Sequence, residues 1–251
     1  MRLYESLPTD RIHAIFVGEI LAHDGHVHET FNDNSRLFVR STLPQSEEIV
    51  PGDRVQSGVA LRAAADCVSV HPYTFRLVCS NGAIVAQTIH TRRIDLTQVV
   101  DPVDAGRILR EAIQSCCAPE AFSNTAQAMR TAADVQVDML IMLMGLLSRL
   151  PQEALRNKLI ANMIEDVAKE RPKDKCSRYD LMNVVTATAR ETRDPEEKWR
   201  LEELGGEIAA GCILTPRLEF DAAAHSAVFR VSTGWSTRSH IRPSRLGFRT
   251  C

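Results

Sequence analysis

The polar run His90-Thr91-Arg92-Arg93, at the end of a β-prone stretch, is the first place in this chain where side chains could do chemistry. Two guanidiniums beside a hydroxyl and an imidazole suit phosphate oxygens or a nucleic-acid backbone, because each guanidinium offers a rigid fork of N–H donors. Arg76 alternates with apolar neighbours on the preceding run and is expected on the same surface. The tail adds Arg238, Arg242, Arg245 and Arg249, spaced among Ser, Thr, Gly and Pro. The competing reading for both groups is a solvated strand end and a flexible, solvated terminus. A second cluster, His23-Asp24-Gly25-His26-Val27-His28, invites a metal. His26 and His28 share a strand face, and neutral imidazoles at that spacing bind zinc or nickel. No distant Cys/His pair completes a site, and Asp24-Gly25 reads as a hairpin turn, so no metal is assigned. Cys79 lies on an apolar strand with nothing nearby to depress its pKa, which makes it a small hydrophobe rather than a nucleophile.

Bulk properties narrow the class. The 251 residues are 44% hydrophobic and 25% charged, the balance of a globular protein with an apolar core. The longest apolar run, Met139 to Leu147, is too short to span a bilayer, and the first residues lack a signal core, so a cytoplasmic protein without membrane partners is expected. Seven cysteines at irregular spacings, with Cys116 and Cys117 adjacent, point to reduced thiols. Net charge is −2 overall, yet residues 217–251 carry six arginines against Glu219 and Asp221. No Walker loop, Gly-x-Gly-x-x-Gly, His-Glu-x-x-His or Gly-x-Ser-x-Gly occurs, and no cofactor is implied.

The elements expected to carry these residues fall into two halves. Residues 1–100 read as β-structure: a run at Ile12–Val17, then His26–Phe31 and Leu37–Thr42 across Asn32-Asp33-Asn34-Ser35, then Val55–Leu61 after Pro51-Gly52-Asp53. Cys67–Cys79 and Ala83–Ile94 form a hairpin, with Asn81-Gly82 as a type I′ corner and Pro72 at a bulge or an edge. From Pro102 the period becomes helical, with starts at Pro102, Pro119, Pro151, Ser177 and Asp194-Pro195. Val135–Leu150 is expected to be the central buried helix, and Glu202-Glu203 to lie at the surface beside a core Trp199. Gly205-Gly206 either ends the last helix or lets two backbones approach. Arg217–Phe220 and Ala227–Val231 are candidate closing strands. Strands first and helices second predict an α+β domain over residues 1–216, its antiparallel sheet covered on one face by a C-terminal helical layer, with 217–251 as short strands and a basic tail.

Two segments resemble a known family. Arg76-Leu77-Val78-Cys79-Ser80-Asn81-Gly82 is similar to the Arg-Leu-Val-Cys-x-Asn-Gly signature of the phage- and plasmid-related domain of unknown function 932 family. Tyr179-Asp180-Leu181-Met182-Asn183-Val184-Val185-Thr186, with Ala189-Arg190, is similar to that family's Tyr-x-x-x-Asn-Ala-Val-Thr helix, with Val184 for the usual Ala. The likeness covers about residues 54–210, and Ala65–His71 departs from the family's Asn-Ser-His-Asp-Gly-like strand. It implies a protein of mobile elements or their hosts and brings no catalytic residues. Cys79, Asn81, Gly82, Asn183 and Thr186 are expected to be structural, with Asn183 and Thr186 reaching back toward the hairpin.

These readings favour a non-enzymatic nucleic-acid-associated module, with strand annealing as an analogy of architecture. The acidic balance of residues 1–216 and the 5% aromatic content count against it. An oligomeric scaffold or protein-interaction and inhibitor module is the alternative, and a metal-dependent enzyme the third.

Overall fold

The computed structural model describes residues 7–33, 35–64, 67–77, 81–84, 90–96, 98, 101–150, 156–162 and 175–212. Cys79, the candidate closing strands and the tail arginines Arg238, Arg242, Arg245 and Arg249 lie outside the described residues.

The first element corrects the sequence reading. The run at Ile12–Val17 is not a strand but part of helix α1, Thr9–Ala22. Ile12, Phe16 and Ile20 recur every four residues and are fully buried, so the helical period wins over the short-range alternation. Asp24-Gly25 closes this helix rather than a hairpin. Gly25 N–H bonds Ile20 C=O at 2.9 Å, Asp24 N–H bonds Leu21 C=O at 3.1 Å, and Asp24 takes φ 56°. That is a Schellman end with Asp in the left-handed position.

Seven strands form one antiparallel sheet. They are β1 (His26–Asn32), β2 (Arg36–Thr42), β3 (Ser46–Val50), β4 (Asp53–Ala64), β5 (Cys67–Arg76), β6 (Asn81–Ile84) and β7 (Arg92–Asp95). The order is β1-β2-β4-β5-β6, with β3 also on β4 and β7 also on β5. The β1–β2 turn is held by Asp33, whose carboxylate accepts from the Ser35 and Arg36 N–H groups. Gly52, at φ 80°, turns β3 into β4.

The expected corner at Asn81-Gly82 is displaced. Asn81 pairs with Arg76 and Gly82 with Phe75, so both lie inside β6, and the connection is 77–80. Gly82 has no positive φ. A Cβ there would lie 1.9 Å from the Tyr73 hydroxyl, so glycine is required by a cross-strand ring and not by a turn. Pro72 stays in register opposite Val59. On its other side, among the described residues, β6 pairs up to Tyr73 and β7 from Val70, and Pro72 lies between the two pairings.

The helices are α2 (Pro102–Cys117), α3 (Pro119–Asp134), α4 (Met139–Leu147), α5 (156–162), α6 (Arg178–Arg190) and α7 (Pro195–Ala209). Caps set their starts. Asp101 accepts from Val103 N–H, Asp194 from Glu196 and Glu197 N–H, and Ser177 forms the full capping box with Asp180. The expected long helix from Val135 is cut short. Gln136–Asp138 (β8) pairs with Lys175–Ser177 (β9), and α4 begins only after Asp138 caps Ile141 N–H. Met142 and Leu146 are buried while Met144 is exposed. At Gly205, α7 meets α6 so closely that a Cβ would lie 2.5 Å from Thr186 Cγ2, which favours close approach over helix termination.

The α+β class holds: an antiparallel sheet from the N-terminal half, helices in the C-terminal half. Helices cover both faces of the sheet rather than one. Leu37, Val39, Val59, Leu61, Val68 and Val70 point to one face and pack on α1 and α2. Phe38, Ala60 and Tyr73 point to the other and pack with Ile84 and Trp199 of α7. The ends of β3, β4 and β6 give Ile49, Val55 and Ala83 to a second large core built by α3 to α7. Among the described residues no helix is long and apolar enough to cross a membrane, and Cys67, Cys116, Cys117, Cys176 and Cys212 are free thiols.

Candidate functional site

The sheet register decides which cations can meet a ligand. Phe38 pairs with Arg62, Arg62 with Ser69, and Ser69 with Arg93, so Arg62 and Arg93 flank Ser69 on one face. Arg92, one residue on, points to the opposite face opposite Val70. Among the described residues strand β7 pairs with β5 alone, and both Arg92 and Arg93 are exposed on it. Arg92 Nη1 donates to Thr91 C=O at 3.0 Å. Arg62 Nη2 lies 2.6 Å from Glu196 Oε1 on α7, with 29% of its side chain still exposed. The result is a basic sheet edge with two exposed arginines, one of them bonded to Thr91 C=O, and a third half-neutralised.

The other half of the expected cluster faces inward. His90 Nδ1 is 3.3 Å from Ser115 Oγ, and the Cys116 thiol donates to His90 C=O, which ties this residue to α2. Thr91 Oγ1 is 3.4 Å from His71 Nδ1. His71 is fully buried and meets Trp199 edge-on at 5.6 Å. Burial, with Arg93 and Arg62 nearby, pushes its pKa down to about 3, so the ring is neutral. Burial also pushes the Cys117 thiol up to about 12 and Cys116 higher still, which removes both as nucleophiles.

Arg76 does not join the basic edge. Its Nε and Nη2 grip the nearly buried Asp53 carboxylate at 2.7 and 2.6 Å, and the Tyr179 hydroxyl donates to Asp53 Oδ2 at 3.0 Å. The register of β4 and β5 puts Arg76 opposite Val55, two residues from Asp53, and the Ser177 cap starts α6 so that Tyr179 faces them. Arg76 from the first motif segment and Tyr179 from the second thus meet on one carboxylate. Beside them a cavity of about 470 Å³ is bordered by Asn183, Asp180, Ser177 and Gln136. Asn183 shares the lining of this cavity with Arg76, whereas Thr186 turns back along its own helix, donating to Met182 C=O at 3.0 Å. Burial and the Asp53 charge push the Tyr179 phenol up, so it remains a donor.

The His23/His26/His28 cluster is dispersed. His23 Nδ1 caps Glu19 C=O at 2.8 Å, and His26 contacts Thr42 Oγ1. The His28 ring leans on Tyr73 and Phe75 at 5.8 and 5.0 Å. Among the described residues no three His, Cys, Asp or Glu side chains are placed to hold a metal ion.

Sequence reasoning missed a buried charge cluster on the α7 side of the sheet. Arg40, 1% exposed, donates from Nε to Glu202 Oε2 at 2.7 Å, with Nη2 at the same distance. Glu29 lies 3.6 Å from Arg40 and 2.6 Å from Lys198. Burial pulls the Arg40 guanidinium down, and Glu202 and Glu29 more than reverse it, so it stays charged. Glu202 is therefore an interior counter-ion and not a surface residue, while Trp199 is core as expected. The signal available was position: Glu202 follows Trp199 by three on α7, on the same helical face. Its partner Arg40, distant in sequence, could not be paired by inspection. Comparison of the chain with family models, curated proteins and solved structures finds no match in any of the three.

Proposed function

We propose that this protein binds nucleic acid through phosphate contacts at the β7 edge, without catalytic turnover. The supporting observation is the pair Arg92 and Arg93, exposed on a strand that pairs on one side among the described residues, with Arg62 across Ser69 from Arg93. The planar fork of a guanidinium is pre-organised for paired phosphate oxygens. The two arginines point to opposite faces, so a strand following the edge is contacted from both sides. Arg76 is reassigned to structure, since Asp53 already neutralises it. The likeness of the two motif segments to a phage- and plasmid-related family agrees with this reading.

Affinity from phosphate contacts falls steeply with salt, with a log–log slope of about −0.7 per phosphate neutralised on single strands. Filter binding of the full chain to single- and double-stranded DNA between low and physiological salt is the test. The expected outcome is a salt-dependent affinity that Arg92→Ala with Arg93→Ala weakens for all base sequences alike. Affinity that ignores salt, or survives both substitutions, overturns the assignment.

A further inference from the structure

The buried charge cluster borders a cavity that the β7 edge does not use. It measures about 220 Å³ and opens between β1, β5, β6 and the helices α6 and α7. One wall is aromatic: His28, Tyr73 and Phe75 pack ring to ring. Burial, the largest influence, pushes His28 down to about 4, so that wall is uncharged at neutral pH even where the ring edge meets solvent. The floor holds the Glu29 and Glu202 carboxylates, each already balanced by Lys198 or Arg40. At the rim stands Arg190, exposed at the end of α6.

Two features separate this cavity from ordinary packing. First, Gly82 and Tyr73 shape it together: any side chain at position 82 would displace the Tyr73 hydroxyl from the pocket wall. Second, the cavity sets an aromatic wall, with Tyr73 only 3% exposed, against the Glu29 and Glu202 carboxylates. A phenol hydroxyl at the wall of an open space can donate to or accept from a molecule that enters. A space aromatic on one side and ionic on the other suits a polar, planar molecule.

We propose that this cavity binds a single nucleobase, with the attached phosphate at Arg190. The volume holds roughly seven waters at ~30 Å³ each, the scale of one heterocyclic base. The ring faces stack on the base, the carboxylates accept its amino and ring N–H donors, and the Tyr73 hydroxyl meets a ring nitrogen or carbonyl. Glutamate accepting from an exocyclic amine is an established pairing in base recognition. The base comes from a free mononucleotide or from an unstacked nucleotide of a strand, and the chemistry is the same for both. This pocket is separate from β7 and does not rest on the phosphate contacts proposed above.

Isothermal titration of the full chain with AMP, GMP, CMP and UMP, and with ribose 5-phosphate as a base-free control, tests the assignment. At least one nucleotide is expected to saturate, with ribose 5-phosphate clearly weaker. Tyr73→Phe removes one oxygen and keeps the ring, and is expected to weaken that nucleotide about three- to tenfold. Arg190→Gln is expected to weaken the nucleotide but not its nucleoside. Competition by a single-stranded oligonucleotide, but not by its abasic counterpart, identifies the strand as the source. Competition by neither identifies the free nucleotide. Arg92→Ala with Arg93→Ala is expected to leave mononucleotide binding unchanged, so failure of one site is distinguishable from failure of the other. The proposal is overturned if no nucleotide saturates, if ribose 5-phosphate binds as tightly, or if Tyr73→Phe changes nothing while circular dichroism shows a native fold.

Discussion

Arg40 and Arg93 lie on the same face of one sheet, yet their surroundings are opposite. Arg40 is on β2, under α7, with Glu202 at 2.7 Å and Trp199 beneath its guanidinium at 5.7 Å. Arg93 is on β7 and is exposed. A buried guanidinium must be matched by a carboxylate, because the desolvation of an unpaired charge costs several kcal/mol. An edge guanidinium has no such demand and keeps its donors for something else. The contrast assigns one arginine to the integrity of the fold and leaves the other exposed, as the proposed phosphate contact requires.

The sharpest way to break this comparison is at its buried end. Arg40→Ala or Glu202→Ala, each leaving a buried charge without its partner, is expected to cost about 3–5 kcal/mol in urea unfolding. Arg40→Met combined with Glu202→Leu should recover much of that loss. If either single variant is near neutral, the buried pair is not structural.

Acid titration probes the boundary between the two regions, where His71 lies between Arg62, Arg93 and Trp199. Its folded pKa of about 3 is below the unfolded value near 6.5, so the unfolded chain takes up the proton first as pH falls. Stability from this group is therefore whole above pH 6.5 and declines toward pH 3, by on the order of 3 kcal/mol down to pH 4. His71→Gln should flatten that limb of a stability–pH profile. An unchanged slope would mean that the ring is protonated in the folded state.

Smaller effects sharpen the assignment of Arg76. Tyr179→Phe removes a hydrogen bond to the Asp53 carboxylate and is expected to destabilise by about 1.5–3 kcal/mol in the same assay. Gly82→Ala, which drives a methyl into the Tyr73 hydroxyl, should cost about 1–3 kcal/mol. At the open end of the comparison, Arg92→Ala and Arg93→Ala should each shift stability by less than about 0.5 kcal/mol. A large loss there would turn the edge cluster into another structural one.

Much of the fold was legible in local patterns. The Ser177 and Asp194 caps, the prolines at the starts of α2 and α3 and the β1–β2 turn each depend on residues within four positions of one another. The misreadings share a cause. Ile12–Val17 is short enough to satisfy either period, and Asn81-Gly82 satisfies the preference of a turn while serving a ring from the next strand. Val135–Leu150 reads as one helix until Lys175–Ser177, nearly forty residues on, supplies a strand partner.

The candidate site divides the same way. The basic character of Arg92 and Arg93 and their position on a strand could be read directly, because side-chain type and period are local properties. Which arginine meets solvent and which meets Asp53 or Glu202 depends on register across β2, β4, β5 and β7 and on where α6 and α7 come to rest. Those pairings join residues up to 162 positions apart. Charge neutralisation and desolvation act through space, so only the packed chain decides them.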